Sequence, residues 1–338
     1  AGSGAEDLAA IVAQCTRPGF QSALVSANAC DEFGHCAAAI PSQAVAYIGT
    51  TQNTLSPFGS LPNAIERVNL SDPRNRVRLI ERPGQLILDI AVDEPHGKFY
   101  WAEKAEGSGQ SAAIWRANLD GSSPSQIVSG LNAYAAEALQ IAIDPVGNKL
   151  YWTQGYQLWW SNLDGTLKQV VYSIPPDIRF IGGAVEVMQI GDVVVDSSNG
   201  RLYLSERRQR GDLAAYNSGI RNFGQIFRHT LIVATDLNGA NPSFFAGAGT
   251  GCTYANFYNN LGSGVGAGQQ PTLCLTSGSD GFDVEAMAVR NGTLYWSAID
   301  ADGVNAGVYG RAPISSTFKV AALGLGGNSH GLRTTPLP

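Results

Sequence analysis

The sequence has few charged residues and no basic surplus. Asp, Glu, Lys and Arg make up 15% of the 338 residues, against about a quarter in a typical globular protein. The net charge of −6 and the lack of a basic stripe argue against nucleic acid and anionic membrane surfaces as partners. The sequence also lacks a run of about 18 apolar residues, the length needed to cross a bilayer. We therefore expect protein partners, with no nucleic acid and no membrane insertion.

Residues that commonly carry catalysis are also scarce. The sequence contains only four histidines, His35, His96, His229 and His330. It has no Gly-x-Ser-x-Gly, His-Glu-x-x-His or P-loop pattern. Asp300-Ala-Asp-Gly303 lacks the later ligands and the terminal Glu of a calcium loop, so we interpret it as a turn. The sequence therefore predicts no catalytic residue and no cofactor.

The five cysteines form neither a Cys-x-x-Cys pair nor a zinc-binding pattern. Cys252 and Cys274 flank a segment rich in Gly and Asn, so we expect a loop-closing disulfide between them. Two of Cys15, Cys30 and Cys36 can pair, which leaves one over. The remaining thiol either bonds to another chain or is an unreactive buried Cys.

Four segments of the chain repeat one order of features: an apolar strand, a tight turn, an aromatic strand, and a strand that ends in Asn-Leu-Asp-Gly or a variant of it. Tyr100, Tyr151 and Tyr203 mark equivalent points and are 51 and 52 residues apart. Strands rich in Val, Ile, Tyr and Trp alternate with Asp-Gly, Asn-Gly and Gly-Asn turns, as in antiparallel hairpins. A period near fifty suits a four-stranded blade, so the sequence predicts an all-β β-propeller.

The aromatic strands resemble those of the YWTD β-propellers of the low-density lipoprotein receptor family. Tyr151-Trp-Thr keeps three of the four residues of that motif, with Gln154 where the family has Asp. Gly97-Lys-Phe-Tyr-Trp101 and Asn148-Lys-Leu-Tyr-Trp152 are similar to the family's turn and strand. The resemblance covers about residues 44 to 333 and implies a binding role, in which the repeated residues hold the blades together. These residues are Asp93, Tyr100, Trp101, Asp144, Tyr151, Trp152, Asp196, Tyr203, Tyr295 and Trp296.

The turn after each first strand follows one pattern. Asp93, Asp144 and Asp196 each begin a turn that also contains a Gly. We expect each Asp side chain to accept hydrogen bonds from the following backbone N–H groups while the Gly takes a positive φ.

The two ends of the chain suggest how the ring closes. Segments 43–49, 64–70 and 76–80 look like the second, third and fourth strands of a blade that lacks its first. Ser329-His-Gly-Leu332 is similar to the family's innermost strand, and we expect it to complete that blade, which would remove exposed sheet edges. The propeller domain then spans residues 43–338, with insertions at about 206–224 and 248–280. We count five blades, and six is the alternative, with a degenerate blade after Tyr203.

Residues 1–42 precede the repeat as an N-terminal arm. Ala5–Gln14 has Leu8, Ile11 and Val12 on one side, which predicts a short amphipathic helix. Such a helix is too short to be stable alone, so it packs either on its own propeller or on a neighbouring subunit. The start Ala1-Gly2-Ser3-Gly4 is typical of a chain whose signal peptide has been removed, although a trimmed sequence would begin in the same way.

Acidic residues on the innermost strands are the candidates for a site at the central channel. Alignment of Ile90, Ile141, Val193, Met287 and Leu332 puts Asp89 and Asp192 at one level, with Glu285 and His330 at the next. These four side chains are the candidates for holding a cation or a polar ligand at a channel mouth. Asn69-Leu-Ser71 and Asn291-Gly-Thr293 are glycosylation sequons, which chance also produces.

Two functions are compatible with these features. The first is a non-catalytic, secreted or cell-surface β-propeller that serves protein–protein interaction. One version of this function is the repeating subunit of a surface assembly or filament. The alternative is a propeller hydrolase or lactonase with a cation, such as calcium, held at the channel by Asp89, Asp192 and Glu285.

Overall fold

A computed structural model describes thirteen stretches of the chain. They are residues 20–25, 45–50, 63–69, 72–106, 111–132, 139–174, 178–181, 184–212, 227–246, 282–290, 292–300, 305–311 and 318–324. All regular secondary structure in these stretches is β-strand, and neighbouring strands pair antiparallel. Within the same stretches, no helix long and apolar enough to cross a membrane occurs. The all-β prediction is confirmed. The predicted helix at 5–14 and all five cysteines lie outside the described residues.

Backbone contacts divide the chain into two compact units, and each is described by itself. The first comprises Ala1–Pro145 with Leu323–Pro338, and the second comprises Val146–Ala322. The prediction of one domain over residues 43–338 stays a prediction.

The first unit contains two four-stranded sheets, each with its strands in chain order. The strands of the first sheet are β1 (Phe20–Val25), β2 (Val45–Thr50), β3 (Ala64–Asn69) and β4 (Asp72–Glu81). Those of the second are β5 (Gln85–Asp93), β6 (Lys98–Ala105), β7 (Ser111–Asn118) and β8 (Ser125–Asn132). β9 (Ile141–Asp144) is the last strand of this unit.

The first sheet corrects the predicted closure of the ring. The strand beside β2 is β1, which pairs with it from Phe20↔Thr50 to Val25↔Val45. The C-terminal segment 329–332 was therefore the wrong partner for this edge, and it lies outside the described residues. The mostly apolar segment after Pro18-Gly19 is much nearer to β2 in the chain than residues 329–332 are. It pairs with the backbone N–H and C=O groups of β2 that would stay unpaired if β2 were an edge strand.

The second unit continues the same pattern with longer hairpins. Its strands begin with β10 (Lys149–Gln154), β11 (Gln157–Asn162) and β12 (Gln169–Ser173), in that order. A five-stranded sheet follows, with β13 (Ile178–Ile181), β14 (Ala184–Asp196), β15 (Arg201–Asp212), β16 (Phe227–Asp236) and β17 (Ser243–Ala246). The last sheet holds β18 (Phe282–Arg290), β19 (Thr293–Asp300), β20 (Asn305–Arg311) and β21 (Phe318–Gly324).

The predicted insertion at 206–224 begins as regular strand. β15 continues to Asp212 and pairs with β14 as far as Ala184, so Glu206–Asp212 extends the hairpin. The insertion at 248–280 lies outside the described residues, and the number of blades therefore stays a prediction.

The aromatic strands form the centre of each sheet. Trp101 and Trp152 are at most 1% exposed, and Tyr100, Tyr151 and Tyr203 are equally buried. In the first unit Trp101 packs in one cluster with Tyr47, Ile65, Ile90 and Phe99, which come from three different strands of the two sheets and from β6 itself. The two sheets of the first unit therefore share one apolar core, which a single sheet could not provide.

Candidate functional site

Asp89, one of the four predicted channel residues, lies on β5 and binds two backbone amides. Its Oδ1 accepts a hydrogen bond from the N–H of Ile90 at 2.8 Å. Its Oδ2 accepts a hydrogen bond from the N–H of Ile141, the first residue of β9, at 2.7 Å. The carboxylate therefore links the second sheet to the next strand of the same unit.

Asp192 on β14 repeats this arrangement in the second unit. Its Oδ1 accepts from the N–H of Val193 at 2.7 Å, and its Oδ2 accepts from the N–H of Met287 on β18 at 2.7 Å. Met287 and Ile141 occupy the same position in the alignment of the repeats, so the backbone N–H that reaches across to the Asp comes from equivalent residues in the two units. Asp89 and Asp192, which the sequence aligns, thus make equivalent hydrogen bonds within their own units, and these contacts are those of a link between sheets.

The other two predicted channel residues cannot be placed in the same way. Glu285 lies on β18, but its side chain is outside the described part of the structure, as is all of His330. Within the described residues, no three His, Cys, Asp or Glu side chains form a group that could hold a metal ion. The clustering of the four residues at a channel mouth stays a prediction.

Two tyrosines make a second repeated link. Tyr47 on β2 donates its hydroxyl hydrogen bond to the carbonyl of Leu119 at 3.0 Å, and Tyr151 on β10 donates to the carbonyl of Leu237 at 2.8 Å. Both leucines occupy the second position of the Asn-Leu-Asp-Gly turn or its Asp-Leu-Asn-Gly variant. The repeated turn is therefore the place where one sheet receives a hydrogen bond from the sheet before it.

The glycine of the same turn makes a close backbone contact. Gly121 and Gly239 have φ of +85° and +76°, which disfavours any L side chain. A Cβ at Gly121 would lie 2.8 Å from the carbonyl oxygen of Leu79 on β4, and one at Gly239 would lie 2.1 Å from that of Val171 on β12. Both glycines therefore let the turn rest directly on the outer strand of the preceding sheet.

Buried glutamates occupy the fourth position of the aromatic motif in two sheets. Glu103 is 3% exposed and accepts hydrogen bonds from Trp101 Nε1 and Arg82 Nε, each at 2.8 Å, and from Arg82 Nη2. Glu206 is fully buried and accepts a hydrogen bond from the hydroxyl of Tyr172 on β12. Arg82 lies between β4 of the preceding sheet and β5 of the same sheet as Glu103. Tyr172 lies on the preceding sheet itself.

Two of the turn aspartates, Asp93 and Asp196, have the predicted geometry, whereas in the Asp144 turn the positive φ predicted for Gly147 is taken by Asn148, at +53°. Asp93 is fully buried and accepts from the backbone N–H of His96 and from its Nδ1, the latter at 2.8 Å. Asp196 accepts from the backbone N–H of Asn199 at 3.1 Å and from its Nδ2 at 2.7 Å. Gly97 closes the first turn with a φ of +65°. These aspartates therefore hold the turns.

Sequence reasoning missed several residues that complete these contacts. Trp115 stacks on Trp101 with ring centroids 6.0 Å apart, and the Arg82 guanidinium lies 4.4 Å from the centre of the Trp115 ring. Trp159 stacks on Trp152 at 6.2 Å in the same way. Trp115 and Trp159 each pair with the motif Trp on the neighbouring strand. Pairing the residues of the predicted hairpins across the turn could therefore have identified them.

The first sequon begins at Asn69, the last residue of β3. Asn69 ends β3 and pairs with Asp72 on β4, the place that Asn118 holds in the second sheet. The second sequon begins at Asn291, outside the described residues.

Titration of Tyr47 provides a test of its burial. Burial raises the pKa of Tyr47 above its ordinary value of 10.0, with a smaller opposing effect from Arg67. The neutral hydroxyl is thus favoured in the folded state, so its stabilisation is present below about pH 10 and is lost as the pH rises through the folded-state pKa. Tyr47→Phe should remove one late step from the tyrosinate absorbance titration. An unchanged late region would contradict this placement of Tyr47.

Comparisons with known proteins give weak likenesses. No family model matches the chain. The structure of a nidogen/laminin complex is similar over 77% of this chain and 89% of that chain, with 16% identity and a TM-score of 0.35. A Mycobacterium tuberculosis puromycin-hydrolyzing peptidase matches over 83% of this chain with 11% identity and a TM-score of 0.45. A bifunctional GH43-CE protein of Bacteroides eggerthii matches over 96% with 12% identity and a TM-score of 0.43.

This chain spans 36% of the length of each of these last two proteins. With every TM-score below 0.5, these likenesses assign neither a family nor an activity. The fold itself is all-β, with consecutive antiparallel sheets of mostly four strands.

Proposed function

We propose that the chain is a β-propeller that acts outside the cell as a non-catalytic platform for protein–protein contacts, including contacts with further copies of itself in a surface assembly. The consecutive sheets are its blades, five by the count of repeats, and they close into a ring. The resemblance to the YWTD family supports this reading, because that resemblance implies a binding role. The disulfide expected between Cys252 and Cys274 supports the extracellular setting.

The main support for the proposal is that the acidic residues of the repeat bind other parts of the chain. Asp89 and Asp192 each accept backbone N–H groups at both carboxylate oxygens. Glu103 and Glu206 are buried against partners from the preceding part of the chain. A cation at Asp89 or Asp192 would have to compete with these amides, so the acids act as structural links.

The competing hydrolase or lactonase function requires a bound cation, so the effect of calcium on stability tests it. We expect millimolar calcium, or its removal by a chelator, to leave the thermal unfolding midpoint of the wild-type chain unchanged. Asp192→Asn should lower stability by about 1–3 kcal/mol, because one backbone N–H loses its carboxylate acceptor. Asp120→Asn is the matched control, since Asp120 is exposed and accepts a hydrogen bond from Ser122 within one turn.

A calcium-dependent rise in the unfolding midpoint that Asp192→Asn abolishes would overturn the non-catalytic proposal. It would establish the cation site that the alternative requires. Turnover of an ester or lactone by the wild-type chain, lost in Asp192→Asn but kept in Asp120→Asn, would have the same meaning.

A further inference from the structure

The second unit concentrates exposed apolar side chains at one end of its first strands. Four large apolar side chains are exposed among the described residues, and three of them are Val146, Leu167 and Val170, at 81%, 71% and 38%. The amide of Leu163 donates to the carbonyl of Asn148 at 3.2 Å, so the turns that carry Val146 and Leu167 lie side by side. We call Val146, Leu167 and Val170, with Asp164 and Lys168 beside them, the Leu167 surface.

Leu167 has a backbone conformation that is unfavourable for leucine. Its φ is +57°, and the equivalent turn positions hold Ser123 at +55° and Asn241 at +56°. The left-handed region costs an ordinary L-residue about 1–2 kcal/mol, while Asn tolerates it better. The chain does not use the Leu167 side chain for its own packing, because that side chain is mostly exposed. When a strained residue does not pack within its own chain, its side chain is expected to contact another molecule.

The outer strand beside this turn, β12, carries neither a charged residue nor a proline. β4, the outer strand of the first sheet, carries Pro73, Arg74 and Arg76, which are residues that prevent edge strands from pairing with other chains. β12 instead reads Gln-Val-Val-Tyr-Ser. Its residue Val170 is exposed. The Gly239 turn contacts β12 at Val171, so β12 contributes the exposed Val170 to the surface and does not offer an open edge.

The Leu167 surface is complementary to itself. Asp164 and Lys168 are both exposed, carry opposite charges and flank Leu167 in sequence. In a two-fold contact the same patch meets itself, so a contact centred on Leu167 can bring Asp164 of one copy opposite Lys168 of the other. Charge complementarity and the apolar centre thus favour one occupant, a second copy of this chain.

We propose that two copies of this chain associate through the Leu167 surface by a two-fold contact. This rests on the proposed role in protein–protein interaction and gives that role a specific surface and partner. Leu167 forms the centre of the contact, Val146 and Val170 extend it, and the Asp164–Lys168 pairs set its register. The strain at Leu167 is the cost in stability of keeping an apolar group available for the second copy.

Sedimentation velocity of the full chain, from about 1 to about 100 µM, covers the range in which a weak dimer dissociates. We expect a concentration-dependent dimer for the wild type and at least a tenfold weaker association for Leu167→Asn. Its urea unfolding midpoint should equal or exceed that of the wild type, because Asn fits the left-handed turn. A role in folding alone would instead lower that midpoint.

Two further variants sharpen the test. Lys168→Glu should weaken association by a similar factor without a change in stability, since it places two acids opposite each other. Val77→Asn is the control, because Val77 is also exposed, at 42%, but lies on β4. It should associate as the wild type does.

The proposal is overturned if the wild type is a monomer throughout the range, or if Leu167→Asn associates as the wild type does. Weakening by Val77→Asn to the same degree would also overturn it, because association would then not be specific to this surface. A monomeric chain that calcium does not stabilise would remove the second copy as partner and leave the non-catalytic function standing. Stabilisation by calcium would contradict that function separately.

Discussion

Gly239→Ala is expected to lower the free energy of unfolding by about 2–5 kcal/mol. About 1–2 kcal/mol of this comes from the positive φ, which alanine disfavours. The rest comes from overpacking, which costs about 1–3 kcal/mol, because the new Cβ would lie 2.1 Å from the carbonyl oxygen and 2.7 Å from the carbonyl carbon of Val171. Backbone cannot rotate away as a side chain can, so the turn must move off β12. Equilibrium unfolding in urea measures the loss.

Gly200→Ala is the matched control for the conformational part. Gly200 lies in the same unit, has a φ of +62°, and has no atom within 4 Å of the position that a Cβ would take. Its loss should be confined to about 1–2 kcal/mol. Equal losses in the two variants would show that the turn does not rest on Val171 in the way described.

Glu103→Ala should be the most damaging change in the first unit, with a loss of about 3–5 kcal/mol, the range typical of breaking a buried ion pair. The change leaves Trp101 Nε1 without its acceptor and Arg82 without its carboxylate. Glu103→Gln keeps a carbonyl acceptor and should lose less. Glu81→Ala is the control, because Glu81 pairs with Arg78 while 57% exposed, and such a pair is worth about 0–1 kcal/mol.

A double variant separates the ion pair from simple loss of packing. Replacing both Arg82 and Glu103 with Met removes the two charges together, so no charge stays buried without a partner. The double variant should be more stable than the sum of the two single losses predicts. If the losses are additive, Glu103 acts by packing alone and the ion pair contributes nothing.

The repeat was predictable because its signals are local. The apolar strand, the Asp that opens the turn and the aromatic strand lie within about fifteen residues, so hairpins such as β5 with β6 follow from alternation and turn chemistry. The level shared by Asp89 and Asp192 follows from alignment of the repeats. Their acceptor role does not, since it depends on the N–H groups of Ile141 and Met287, which are 52 and 95 residues away.

Sequence reasoning missed β1 and the end of β15 for different physical reasons. β1 (Phe20–Val25) lies outside the repeat, so nothing in the period marks it as the partner of β2. The extension of β15 through Glu206–Asp212 is polar, and polar strands lack the alternation that identifies them. Its pairing with β14 is set by the opposite strand rather than by its own sequence.

The links at the Leu-containing turns have a direction. In the first unit the donor Tyr47 precedes its acceptor at Leu119 in the chain, and in the second Tyr151 precedes Leu237. In both joints the earlier sheet thus supplies the donor Tyr and the later sheet supplies the acceptor carbonyl. A gene that gained one more copy of the period by tandem duplication would acquire a matching joint with it. Lengthening of such a chain in evolution would require no newly invented contact.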